Sequence, residues 1–141
     1  MLHPRWEQRL KETPLISIVD DDDLSRTAIE SLVRSRGFTA CTFASAESYL
    51  RSPLVNKTQC LIADVQMPNV DGLQLQQHLS LLGLDTPIIF LTAYPDDAIE
   101  ARALKAGAVG FLQKGRDIWG GRFFACLQEA LANRGVPASN S

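Results

Sequence analysis

Cysteine, histidine and aromatic residues are scarce in this chain. Its three cysteines, Cys41, Cys60 and Cys126, stand far apart, and its two histidines, His3 and His78, have no ligand-spaced neighbours. There is no CxxC pair or Cys/His cluster to hold zinc, and an odd, widely spaced set does not make a disulfide framework. The cysteines read as small core residues of a protein from a reducing compartment. Long apolar runs are missing too: nowhere are there the roughly 20 consecutive apolar residues that a bilayer-spanning helix requires. Charge of one sign is also lacking. The 14 basic and 16 acidic residues give a formal net charge of −2. The bases are scattered, which leaves no electrostatic footprint for nucleic acid or an anionic membrane. Residues 1–14, MLHPRWEQRLKETP, form a polar arm without the apolar segment of a secretory leader, so the expected location is cytoplasmic.

What is present is a repeated alternation of two periodicities. Leu15 to Val19 is a short apolar, β-branched run suited to a buried strand. From Leu24 the spacing turns helical, with Leu24, Ala28, Ile29, Leu32 and Val33 on one face and Gly37 as a stop. Thr39 to Phe43 is the second strand, and Ser45 caps a short helix through Leu50. CLIAD, the turn MPNVDG and a helix carrying Leu75, Leu79 and Leu82 follow, then the strand PIIFLT and the helix PDDAIEARALKAG. AVGFLQK is the fifth strand, and Asp117 to Asn133 the fifth helix, whose start Gly120 and Gly121 push toward Arg122. The 141 residues thus divide into the arm 1–14, one domain over 15–133, and a tail or linker start over 134–141. Five strand and helix pairs predict an α/β fold, an open parallel sheet with helices on both faces.

Right-handed crossovers bring all strand C-termini to one edge, the edge at which open α/β sheets bind ligands. Polar residues end the apolar runs there: Asp20 and Asp21 after the first strand, Asp64 after the third, Thr92 after the fourth and Lys114 after the fifth. Three converging carboxylates repel one another unless a cation screens them, and the available ligands are hard oxygens, which points to Mg2+ with Mn2+ as a substitute. In the run Asp20 to Asp23 the first two residues suit the metal, and Asp22 or Asp23 suits the helix cap.

IVDDDD, LIADVQMPNVDG, IIFLTAY and KAGAVGFLQK, in that order, resemble the motifs of the receiver domain of bacterial response regulators over about Leu15 to Asn133. The resemblance implies a flavodoxin-like (βα)5 fold with strand order 2-1-3-4-5. It further implies that Asp64 is the phosphoacceptor of a two-component system. Asp20, Asp21, Asp64 and the backbone carbonyl of Gln66 would then hold Mg2+. Thr92 and Lys114 would bind the phosphoryl group, and Phe111 would be the switching aromatic. The implied partners are a sensor histidine kinase or phosphotransfer protein on the input side and an output protein or absent effector domain on the other. A homodimer through the face of helix four, strand five and helix five is also implied. The implied role is a switch that assists its own phosphorylation and dephosphorylation, rather than an enzyme.

The sequence most resembles receivers that carry a C-terminal helix-turn-helix, so the receiver part of a transcription regulator is an alternative output; no DNA-binding motif occurs in the chain itself. An aspartyl-phosphate phosphohydrolase is the competing class, but such enzymes place a second acid two residues after the nucleophile, where this chain has Gln66. A binding-only pseudo-receiver would have lost Asp64, Lys114 or the acidic pair. The departure from the family is Gly115, which stands where a proline, often cis, commonly follows the lysine. Glycine there predicts a looser turn and a less firmly aimed Lys114.

Overall fold

The computed structural model describes residues 13–133, so most of the polar arm and the 134–141 tail lie outside the described residues. The strands are β1 Leu15–Val19, β2 Thr39–Phe43, β3 Cys60–Asp64, β4 Ile88–Thr92 and β5 Gly110–Gln113. The helices are α1 Asp23–Ser35, α2 Ala46–Leu50, α3 Gly72–Leu81, α4 Asp97–Lys105 and α5 Gly121–Asn133, with a 3-10 turn at Pro53–Asn56. All pairings are parallel, in the order β2-β1-β3-β4-β5.

Every residue of β1, β3 and β4 is buried. That is the physical basis of their unbroken apolar runs, since a strand covered on both faces has no solvent side on which to alternate. On one face Ile16, Ile18, Ile62 and Leu91 pack against Ile29 and Val33 of α1 and Phe123 and Leu127 of α5. On the other, Leu61, Ala63 and Phe90 pack against Tyr49 of α2, Leu75 and Leu79 of α3 and Ala103 of α4. Three details differ from the sequence reading. Leu24 is 82% exposed and Leu82 is 62% exposed, Leu24 in the first turn of α1 and Leu82 at the C-cap of α3. The fourth strand excludes Pro87, which cannot donate to the ladder. The fifth helix begins at Gly121, after a loop that occupies Lys114 to Gly120, which excludes Asp117 and agrees to within one residue with the late start that the two glycines predict.

Two local devices support the polar edge. The first is the start of α3, a capping box in which Asp71 accepts from the Gln74 amide and the Gln74 side chain accepts from the Asp71 amide, each at 2.9 Å. It seats Gly72 so tightly on the end of β3 that a Cβ there would lie 2.7 Å from Val65 Cα and 2.8 Å from the Asp64 carbonyl oxygen. The second is Asp117, 5% exposed, whose carboxylate accepts from the Gln113 amide at 2.7 Å while its own amide donates to the Gln113 carbonyl at 2.9 Å. Arg116, by its hydrogen bonds, and the Gln113 amide hold the Asp117 carboxyl below the usual carboxylate range.

Gly72→Ala is expected to lower unfolding stability by about 1–3 kcal/mol, the scale of an overpacked contact with backbone, measured as a lower urea midpoint at unchanged slope. A depressed folded-state pKa contributes stability that is present above the unfolded value near 3.9 and lost as pH falls through the folded one. Asp117→Asn is therefore expected to be less stable than the parent by about 1 kcal/mol at pH 7, because the flanking arginines are well exposed and screened. The gap should close below about pH 4 in a series of thermal melts.

Candidate functional site

The register sets the site. Val19 lies beside Ala63, so the residues that follow, Asp20 and Asp64, emerge next to each other on neighbouring strands. Thr92 lies beside Gln113, and the Lys114 amide donates to the Thr92 carbonyl at 2.8 Å, which fixes where the lysine leaves the sheet. From β5 to β3 is two strand spacings, about 10 Å, a gap that a lysine and an aspartate span together. Lys114 Nζ reaches both acids, 2.8 Å from Asp20 Oδ2 and 2.9 Å from Asp64 Oδ2.

Asp20 is 1% exposed. Its Oδ1 accepts from the Asp22 amide at 3.0 Å, its amide donates to the Phe43 carbonyl at 3.1 Å, and its carbonyl accepts from Arg26 Nη1 at 2.8 Å. Its Oδ2 has the Lys114 ion pair but no aligned hydrogen-bond donor. Asp64 Oδ1 accepts from the Gln66 amide at 2.9 Å, while Oδ2 accepts from Lys114. Asp21 is exposed at the mouth. Further along the aspartate run, Asp22 caps α1 by accepting from Ser25, and Asp23 pairs with Arg26.

Burial raises the Asp64 carboxyl above the ordinary range, and the hydrogen bonds from Lys114 and Gln66 offset this only in part. Burial also works against the Lys114 charge, but the Asp20 and Asp64 carboxylates prevail and hold the ammonium above its usual range. Among the described residues, this one lysine faces three acids.

The donor set fits a hard divalent cation. Asp20, Asp21 and Asp64 each offer a carboxylate oxygen, and these oxygens lie within 4.8 Å of one another. Buried Asp20 Oδ2, without an aligned donor, is the kind of orphaned acceptor that a metal satisfies. A groove of about 450 Å3, lined among others by Met67, Leu73 and Ile99, lies beside this crevice and contains none of the three acids.

Thr92 and Phe111 stand at the positions expected but are engaged elsewhere. The Thr92 hydroxyl, 1% exposed, accepts from the Tyr94 amide and donates to the Tyr94 carbonyl, both at 3.0 Å. Phe111 is packed inward, with its ring centroid 6.4 Å from that of Phe90. The sequence reading gave no role to Arg26 or Asp117. The spacing of Asp23 and Arg26, three apart on a helix, signals their pairing, but nothing in the sequence signals the Arg26 bond to the Asp20 carbonyl. Gly115 has φ +84°, and the described peptide bonds are all trans. The turn after the lysine is therefore of a kind proline cannot form.

Comparison with known proteins agrees with this geometry. The family description "Response regulator receiver domain" matches residues 16–118. Transcriptional regulatory protein TdiR of Thauera aromatica is 43% identical over 99 residues, which is 70% of this chain and 44% of that protein. Nodulation protein W of Bradyrhizobium diazoefficiens is 39% identical over 100 residues, 71% of this chain and 44% of that protein. The chain thus spans less than half the length of these relatives. Among solved structures, a response regulator receiver protein from Burkholderia phymatum is 34% identical, with a TM-score of 0.73, and the match covers 90% of this chain and 99% of that one. The response regulator StyR is 32% identical, with a TM-score of 0.79, over 87% of this chain and 61% of that one. By its matched sequence, its sheet order and the residues gathered at its strand ends, the chain belongs to the receiver domain family of two-component response regulators.

Proposed function

We propose that Asp64 is the phosphoacceptor of this receiver and that the crevice around it is a magnesium-dependent phosphoryl-transfer site. The observation that carries the reading is the Lys114 ammonium placed within 2.9 Å of carboxylates from two separate strands, with Asp21 beside them. Asp20, Asp21, Asp64 and the Gln66 carbonyl would hold Mg2+, with Mn2+ as a substitute; when bound, the ion neutralises charge on the transferred oxygens. The donor is a phosphohistidine of a sensor kinase or phosphotransfer protein. A carboxylate oxygen of Asp64 forms the new P–O bond as the P–N bond breaks, and the electron pair stays on the imidazole nitrogen. Transfer of this kind depends mainly on positioning and electrostatic stabilisation. Lys114 supplies both, since its ammonium can follow the charge from the carboxylate to the phosphoryl oxygens.

After transfer, the Thr92 hydroxyl would exchange its bonds to Tyr94 for a phosphoryl oxygen, which couples the crevice to the loop before α4. The inward-packed Phe111 lies on the same side and would report that change to the face of α4, β5 and α5, the surface for an output partner or a second copy. The name of the relative TdiR supports an output domain that acts on transcription, with this chain as the receiver part of such a regulator. A cytoplasmic location agrees with the absence, among described residues, of any helix long and apolar enough to cross a membrane.

Incubation with Mg2+ and acetyl phosphate is expected to add a single phosphate by intact-mass measurement, and Asp64→Asn is expected to abolish it. An undiminished mass shift in that variant would refute the assignment. Lys114→Ala and Asp20→Asn should separate two roles. Loss of the lysine is expected to slow transfer by about 10²–10³-fold, as for other preorganised donors. It should also tighten Mg2+ binding, because a competing cation is gone. Loss of the Asp20 charge is expected to weaken Mg2+ binding about tenfold or more. A magnesium titration followed by NMR reads both signs.

A further inference from the structure

Beside the crevice, the turn that carries Lys114 presents a problem of attachment. β5 is an edge strand, so among the described residues one of its sides has no neighbouring strand. Backbone amides alternate in direction along a strand. The Lys114 amide points inward to the Thr92 carbonyl, and the Gln113 amide therefore points off the sheet edge. Asp117 meets it there: its carboxylate accepts from Gln113 N–H at 2.7 Å, and its own N–H returns to the Gln113 carbonyl at 2.9 Å. Both bonds fall on one residue and close a short ring in which Lys114 is the first member.

Packing does not hold this ring at Gly115. Gly115 turns the chain inside it at φ +84°, and a Cβ built on Gly115 would meet nothing within 4 Å. Asp117 is held instead. It is 5% exposed, Arg116 Nε donates to it at 3.2 Å, Arg122 Nη1 lies 3.7 Å away, and Ile118 beside it is buried in the core. Nor is Asp117 a helix cap, because α5 begins four residues later and the bonds of the Asp117 carboxylate go to Gln113 and Arg116. A lysine stem is long and flexible, and aiming it freezes side-chain freedom worth up to about 2 kcal/mol. Its root must therefore be fixed.

We propose that Asp117 is a positioning residue for phosphoryl transfer, which clamps Gln113 so that the lysine turn, open at Gly115, still delivers Lys114 Nζ onto Asp20 and Asp64. This rests on the reading of Asp64 as phosphoacceptor. It also accounts for how the chain dispenses with a rigid residue after the lysine: the restraint has moved from the ring of an imino acid to a carboxylate two positions along.

The test uses the full chain with Mg2+ and acetyl phosphate. Asp117→Ala is expected to lower the phosphorylation rate at saturating donor about tenfold, in line with displacement of a catalytic group by a fraction of an ångström, with Mg2+ affinity kept or tightened, as a displaced ammonium no longer competes for Asp20 and Asp64. Asp117→Asn, whose amide oxygen still accepts from Gln113, is expected to recover most of the rate. Asp117→Ser, too short to span to Gln113, should repeat the loss and stands in where the alanine variant unfolds. A wild-type rate in the alanine and serine variants overturns the proposal. So does a joint loss of rate and Mg2+ affinity that asparagine does not rescue. If the parent protein takes up no phosphate, the phosphoacceptor reading falls. The clamp is then judged by the Lys114 ammonium signal in 1H–15N spectra, which must be sharp in the parent and lost in Asp117→Ala; an unchanged signal overturns it.

Discussion

One ammonium group shared by two carboxylates organises the polar edge of this protein. Lys114 enters from β5, Asp20 from β1 and Asp64 from β3, and the three meet only because parallel strands in fixed register end together. Each group carries a burial penalty that its partners reduce. The sheet supplies the opposing force: the apolar contacts on both of its faces hold the strand ends where their charges must coexist. Among the described residues one ammonium faces three carboxylates, and this imbalance suits the crevice to a hard cation rather than to a closed ionic knot.

The surrounding structure reads as support for that arrangement. Gly72 lets the start of α3 come within contact distance of the Asp64 backbone, and the capping box of Asp71 and Gln74 keeps it there. Arg26 reaches back from the first turn of α1 to the Asp20 carbonyl. Asp117 ties the far side through Gln113. Asp20 and Asp64 are therefore restrained by the helix that follows their strand, and the strand end before Lys114 by the loop that follows it.

Thr92 and Phe111 show a different balance. Their positions at the end of β4 and within β5 suit a coupling role, but in this state the hydroxyl is satisfied by the Tyr94 backbone and the ring already packs near Phe90. A threonine hydroxyl has one donor and must choose between its loop and another acceptor. On the proposed reading, that competition is what a phosphoryl group on Asp64 would bias.

The order of strands and helices, the polar ends of the apolar runs and the split of Asp20 to Asp23 into members that join the carboxylate cluster and a member that caps the helix were legible in the sequence. Periodicity and turn chemistry are local properties, and they survive folding where burial is uniform, as in β1, β3 and β4. They misjudged Leu24 and Leu82, which keep helical spacing but are exposed at helix ends, whereas the glycine pair Gly120 and Gly121 rightly signalled that the fifth helix starts well after Asp117. Only the tertiary structure decided which polar atoms touch: that one lysine bridges two acids, that Asp20 Oδ2 lacks an aligned donor, that the Thr92 hydroxyl is occupied, and that Asp117 faces an open sheet edge. Those contacts depend on strand register and on side-chain reach across about 10 Å, quantities that no single segment contains.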